Sequence, residues 1–321
     1  MTILLGRALA AAASLALLAG CSVAAPAEPT LAPTTATVVP ATPTSTPSPV
    51  QTTPTPSSSP SAEPEVEPYR AAPGLTIKSV LNFRDVAGDG LLLADGSRMA
   101  VGVVFRSGKL APLTKADREK LVDAGLSDIY DLRTPAVISR TPDPAVKGAK
   151  RHEANVFAVR ASDPVRPGDV AEARTHMRTI NRNFVAEPAQ RKAIASVLES
   201  IADDSGPVLI HCTEGKDRTG WISAMLQLTA GADEEAVIEQ YLLSNVYREA
   251  LIDREVAKAK RASGTKASQI RRALLQVDAS YLQAGLDELK TRFGDLDGYL
   301  TKGLGLSEET VETLRARLRG H

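Results

Sequence analysis

Proline and aromatic residues divide this chain before any helix or strand is sought. Of its 21 prolines, 13 lie between Pro26 and Pro73, and no Phe, Tyr or Trp precedes Tyr69. The first quarter therefore cannot supply an aromatic-bearing core, and a globular unit must be built from the remaining three quarters. Ser22 to Pro68 is almost entirely Pro, Thr, Ser, Ala and Val, with Glu28, Glu63, Glu65 and Glu67 as its only charges. Such a stretch buries too little apolar surface to offset its ordering entropy. Residues 21–73 thus read as a disordered tether. At about 3.1 Å per residue in polyproline II, its reach is on the order of 150 Å.

Ahead of the tether, residues 1–20 read as a secretory leader. Arg7 is followed by an apolar run, Ala8 to Ala19, shorter than the roughly 20 residues needed to span a bilayer. The run ends in Leu18-Ala19-Gly20-Cys21, which resembles the bacterial lipoprotein box. The resemblance implies a diacylglycerol on the Cys21 sulfur, cleavage just before it, and export with anchoring to the outer face of the cell membrane. The plainer alternative is an ordinary signal peptide with an incidental cysteine.

Charge narrows the function classes. The chain carries 38 basic and 38 acidic side chains, which argues against a nucleic-acid binder working through bulk electrostatics. Two cysteines in all rule out a disulfide framework and a four-cysteine zinc site. Each cysteine has to be explained separately.

From Gly74 onward strands and helices alternate. Met99 to Arg106 reads as a strand. Thr114 is a plausible N-cap for a helix to Ala124 closed by Gly125. Ser127 to Leu132 and Arg151 to Val156 read as strands, and Ala171 to Val185 and Pro188 to Ala202 as helices. Pro207-Val208-Leu209-Ile210 is a short continuous apolar run bounded by Gly and Pro, the mark of a buried central strand. Thr219 to Thr229 has Trp221, Ile222, Met225 and Leu228 at helical spacing, closed by Gly231, with Trp221 and Met225 as core packing. The rest is helical, punctuated at Gly264, Gly294, Gly303 and Gly305. The expected fold of residues 74–321 is α/β, a mostly parallel central sheet flanked by helices, with an all-helical C-terminal part. Ligands of such sheets bind at the carboxyl ends of strands, so the loop after Ile210 is the candidate site.

That loop is His211-Cys212-Thr213-Glu214-Gly215-Lys216-Asp217-Arg218-Thr219-Gly220. A tight loop meeting a helix N-terminus turns its backbone N–H groups into an anion cradle, and the helix dipole adds partial positive charge. Arg218 can fork two donors onto an oxyanion. A cysteine at the mouth of such a cradle has a depressed pKa, in the range of about 3.5–7.5. The expected chemistry is phosphoryl transfer through a cysteinyl-phosphate, with Thr213 to Arg218 binding the phosphoryl group and no metal or other cofactor.

The C-x5-R pattern with a preceding His and a following Thr-Gly resembles the cysteine-dependent protein tyrosine phosphatases. The longer string HC-x-x-GKDRTG resembles a bacterial branch of secreted tyrosine phosphatases with broad protein and phosphoinositide specificity. Asn82 to Gly88 (NFRDVAG), Phe105 to Gly108 (FRSG), Tyr241 to Asn245 (YLLSN) and the closing Tyr281 to Arg317 support that branch, so the likeness spans roughly 75–320. It implies Cys212 as nucleophile, Arg218 on the phosphoryl oxygens, Thr219 donating its hydroxyl to the thiolate, and His211 supporting the loop. It favours Asp217 as general acid. Asp131 is the runner-up, with a salt bridge to Arg133 or Arg106 as its plainer reading.

Two loop residues leave substrate choice open. Lys216 adds a second cation, either as general support or in favour of substrates with more than one phosphate. Glu214 departs from the small or basic residue expected there. It should repel phosphate unless it is paired with Lys216 or points outward. Val246 to Arg272 holds eight Lys/Arg against three Asp/Glu, and reads as a lid over an anionic substrate, a face for anionic lipid, or a solvated helix surface. The leading function is protein phosphotyrosine hydrolysis. The alternatives are a phosphoinositide or inositol-phosphate phosphatase using the same loop, and a non-catalytic phosphate-binding surface lipoprotein.

Overall fold

A computed structural model of the chain describes residues 74–159 and 165–321. The leader, the tether and Cys21 lie outside the described residues. The strands are β1 (Arg84–Asp85), β2 (Val104–Ser107), β3 (Asp128–Asp131), β4 (Lys150–Glu153) and β5 (Val208–His211). The helices are α1 (Lys115–Asp123), α2 (Pro135–Arg140), α3 (Val170–Ala186), α4 (Pro188–Asp203), α5 (Arg218–Ala230), α6 (Glu234–Val246), α7 (Glu249–Leu275), α8 (Ala279–Phe293), α9 (Leu296–Gly298, continued by a π-helical turn to Gly303) and α10 (Glu308–Arg319).

The strands form one sheet in the order β1-β2-β5-β3-β4. Only β1 is antiparallel, to β2; the other pairings are parallel. The fold is therefore α/β with a mostly parallel sheet, and after β5 the chain is helical. Alternate strand residues enter opposite layers, as the pleat requires. Phe105, Leu209 and Ile129 pack with Ile77, Phe83, Leu110 and Leu121 on the α1 side. Val104, Val208, Ile210 and Tyr130 join Phe184, Leu198, Trp221, Met225 and Leu282 on the other. Trp221 and Met225 are core residues, as the helical spacing predicts. Among the described residues no helix is long and apolar enough to cross a membrane.

Local chemistry sets the helix ends. The Thr114 side chain accepts from the Asp117 N–H and opens α1, and Gly231, at φ 106°, closes α5. Two strand boundaries differ from the sequence reading, while the break at Gly264 falls where it was expected. The first expected strand begins only at Val104, because Gly102 takes φ 78° and its N–H turns to the Asp85 carboxylate at 2.5 Å. β4 covers Lys150–Glu153 rather than Arg151 to Val156, its extent fixed by pairing along β3. α7 contains Gly264 at φ 82°, ψ −173°, a conformation open to glycine. The two arms fold back on each other there, joined by Arg272 to Asp253 at 3.1 Å and by Arg271 to Glu255 at 3.6 Å.

Candidate active site

β5 lies in the middle of the sheet and ends at His211, so the loop after it emerges at the carboxyl edge between β2 and β3. Its carbonyls are drawn outward by donors from elsewhere. The Lys109 N–H bonds Thr213 O at 3.2 Å. The Asn82 amide bonds Glu214 O at 3.3 Å and Gly215 O at 2.8 Å, and Arg106 Nη2 bonds Gly215 O at 2.7 Å. In a trans peptide the next N–H points opposite to its carbonyl, so the amides of Glu214, Gly215 and Lys216 turn inward. The Gly215 N–H meets Cys212 Sγ at 3.3 Å. Gly215 itself sits at φ +68°, and a Cβ there would come within 2.6 Å of the Ser107 carbonyl. Only glycine fits.

Three of the four supporting stretches singled out in the sequence converge on this loop. Asn82 and Arg84 from NFRDVAG, Arg106 from FRSG and Ser244 from YLLSN form one network, and Gly108 leaves room for the loop, since a Cβ there would lie 3.2 Å from Thr213 O. Arg84 bonds Gln240 O at 3.0 Å and Ser244 Oγ at 3.3 Å, and also the Asn82 side-chain oxygen. Asn82 is held at φ 60°, which places its amide under the loop.

Cys212 is 3% exposed. Burial alone pushes its thiol up. The Arg218 charge, with the hydroxyl and N–H of Thr219, outweighs burial and holds it below the usual thiol value. Arg106 and Arg133 also act on the sulfur, and Asp217 opposes them. Arg218, at the first turn of α5, bonds Leu132 O at 3.1 Å and Thr213 Oγ1 at 3.3 Å. Its guanidinium lies over the Phe157 ring, 4.3 Å from the centroid. These partners are uncharged, and no described carboxylate makes a salt bridge with Arg218, so its full charge faces the cradle.

His211 is fully buried. Nδ1 lies 3.4 Å from Cys212 O, and Nε2 lies 3.5 Å from Asp143 and 3.9 Å from Asp131. Burial, partly opposed by those two carboxylates, pushes its pKa below the ordinary value. Asp131 is fully buried too, and Arg133 grips both its oxygens at 2.7 and 2.6 Å. The plainer reading of Asp131, an ion pair with Arg133, is thus what the structure shows. Asp131, Asp143 and His211 are close enough to suggest a cation site, but Arg133 already supplies the positive charge to both carboxylates.

Asp217 stands at the end of the loop, partly exposed, with Lys216 Nζ 3.1 Å from Oδ1. His176 of α3 lies within electrostatic reach of both, and burial holds it below its ordinary value. Glu214 is paired, but not with Lys216: its carboxylate meets Arg248, ahead of α7. Arg248, Asp143, Phe157, His176 and the Leu132 carbonyl were not marked as site groups by the sequence. They come from separate segments with no shared spacing.

A buried thiol beneath inward-turned amides, beside a guanidinium that pairs with no described carboxylate, defines the class: an α/β protein built around a cysteine anion cradle. The tyrosine phosphatase family matches this chain over residues 75–320, and the chain belongs to that family. A Cupriavidus necator protein named as a tyrosine-protein phosphatase is 30% identical over 254 residues, 77% of this chain and 87% of that one. The triple specificity protein phosphatase PtpB of Mycobacterium tuberculosis is 29% identical over 280 residues, 74% of this chain and 96% of PtpB. A tyrosine-protein phosphatase of Nostoc commune is 27% identical over 223 residues, 66% of this chain and 73% of that one.

Proposed function

We propose that the chain is a cysteine-dependent phosphatase that hydrolyses protein phosphotyrosine through a cysteinyl-phosphate. The observation that carries this reading is the Cys212 sulfur, held below its ordinary pKa by Arg218 and Thr219 despite burial. In the first step the thiolate attacks phosphorus. The P–O bond to the tyrosyl oxygen breaks, and that oxygen takes a proton from Asp217. In the second step Asp217 accepts a proton from water as it attacks phosphorus. The S–P bond breaks, the thiolate is restored and inorganic phosphate leaves. Arg218 and the inward amides match the charge on the phosphoryl oxygens throughout. Asp217 is preferred to Asp131 because both Asp131 oxygens are taken by Arg133.

The test is phosphate release by the full-length chain from a phosphotyrosyl peptide, compared with phosphoinositide vesicles. The peptide is expected to turn over faster. Asp217→Asn should lower kcat by roughly 10²–10⁴-fold and flatten the alkaline limb of the pH–rate profile, since a general acid must be protonated to act. With an activated aryl phosphate the loss should be much smaller, because that leaving group needs no proton. An Asp217→Asn chain with wild-type rate and profile would remove Asp217 from the mechanism. No release from the peptide would remove the function.

For location, the reading is export and attachment to the outer face of the membrane through lipidated Cys21. Support comes from the leader followed by Leu18-Ala19-Gly20-Cys21. In cells fed labelled palmitate, the wild-type chain should take up label and Cys21→Ser should not. Equal labelling of the two would reject the anchor.

A further inference from the structure

Glu214 puts a carboxylate in the middle of a loop whose task is to hold an anion. The Gly215 amide, next in the chain, bonds the Cys212 sulfur at 3.3 Å. An uncompensated carboxylate at this place opposes both the thiolate and an incoming phosphate. The compensation comes from Arg248. Its side chain is 0% exposed, while that of Glu214 is 31% exposed. Arg248 Nη2 meets the Glu214 carboxylate and Nη1 bonds Leu275 O at 2.6 Å.

Arg248 immediately precedes α7, and Leu275 ends it. One guanidinium therefore joins the catalytic loop to both ends of the helical hairpin that turns at Gly264. A second clasp lies beside it: Asn245 exchanges two 2.8 Å hydrogen bonds with the Val277 backbone. The hairpin base has its own fastening without Glu214. The ion pair is thus not needed to close the hairpin, and its distinctive consequence falls on the loop.

We propose that Arg248 is a positioning residue for the Cys212 loop, acting through Glu214: it cancels the loop's own carboxylate and fixes the Glu214–Gly215 segment against the base of the hairpin. The proposal rests on the phosphatase reading above for its importance to turnover, but not for its effect on the sulfur. Without Arg248 the free carboxylate raises the thiol pKa and weakens phosphate binding. Removing Glu214 as well takes away the charge that needed cancelling.

The experiment compares wild type, Arg248→Met, Glu214→Ala and the double variant as full-length chains. It reads the pH dependence of Cys212 alkylation by iodoacetate, followed on the Cys212 peptide by mass spectrometry, and the binding of inorganic phosphate. Arg248→Met should move the alkylation midpoint upward by about one pH unit and weaken phosphate about tenfold, one pKa unit being a factor of ten. The double variant should return both toward wild type. A double variant as impaired as Arg248→Met would reduce Arg248 to a scaffold residue and overturn the proposal. If Arg248→Met does not fold, Glu214→Gln decides. It leaves the guanidinium uncompensated, so the midpoint should fall and phosphate should bind more tightly; no shift overturns the proposal. Neither readout needs turnover. A chain inactive on every phosphomonoester that still shows these shifts would sink the phosphatase reading and keep this one.

Discussion

In a Cys212→Ser chain, turnover of a phosphotyrosyl peptide is expected to fall below detection while the peptide still binds. The cradle that lowers a thiol pKa cannot ionise an aliphatic hydroxyl, so the proposed nucleophile is lost outright. The groups proposed to bind the phosphoryl oxygens remain. The Lys109, Asn82 and Arg106 bonds that turn the loop amides inward do not involve the sulfur, and neither do the Leu132 and Thr213 contacts of Arg218. Affinity should stay equal or rise, because a thiolate that repels the phosphate dianion is gone. The checks are phosphate release, calorimetric titration with the peptide, and rapid alkaline denaturation during turnover of radiolabelled substrate. Label should stay on the wild-type Cys212 peptide and be absent from the serine variant. Retained turnover would mean that another group is the nucleophile. Loss of peptide binding would mean that the sulfur supports the fold of the loop, and its chemistry would then have to be argued afresh.

How much of the fold and site is legible in the sequence depends on the range over which each feature is encoded. The apolar run at 207–210, the Gly-containing loop and the spacing of Trp221, Ile222 and Met225 are local, and they place Cys212 at the end of a central strand. Thr114 and Gly231 are caps whose side chain, or lack of one, acts within a single turn. β1 leaves no trace because it has only Arg84–Asp85 and exists through its pairing with β2. β4 is Lys-Arg-His-Glu, with no apolar alternation, and its strand character comes from β3. α2 is a six-residue helix, too short to show a period. The same limit applies to the site. Sequence resemblance marks Asn82, Arg106 and Ser244 as belonging together without saying why. The structure supplies the reason, which is that the loop's carbonyls need partners from outside the loop. Arg248 stays invisible because its value depends on Glu214, and an ion pair spanning 34 positions has no local signature.

The cluster behind the loop leads to the second large effect. Arg133 is fully buried; it holds Asp131 through Nε and Nη2, Asp143 through Nη2, and Thr141 O through Nη1 at 2.9 Å. Burial drives both carboxyls toward the neutral form. Asp131 is brought back below its ordinary range by Arg133 and His211, whereas Asp143 remains above it. Arg133→Met removes the cation and leaves two buried carboxylates facing each other. Breaking a buried pair in this way costs about 3–5 kcal/mol. At about 2–4 °C per kcal/mol for a domain of this size, Tm should fall by about 6–20 °C. The pH dependence identifies the cause. In wild type the Asp131 contribution is complete above the unfolded carboxylate pKa and is lost only as pH falls through its lower folded value. In the variant both acids are raised, so the folded state gains protons that the unfolded state lacks, and stability recovers as pH falls from neutral toward the carboxylate range. The deficit against wild type should therefore be larger at pH 7 than at pH 5, and Asp143→Asn should restore part of it. Activity should fall as well, because Leu132, whose carbonyl holds Arg218, lies between Asp131 and Arg133. A variant within about 1 kcal/mol of wild type at pH 7, the range of an exposed ion pair, would mean that these carboxylates are already neutral in the folded chain. Asp131 would then carry a proton, and the preference for Asp217 as the general acid would lose its structural basis.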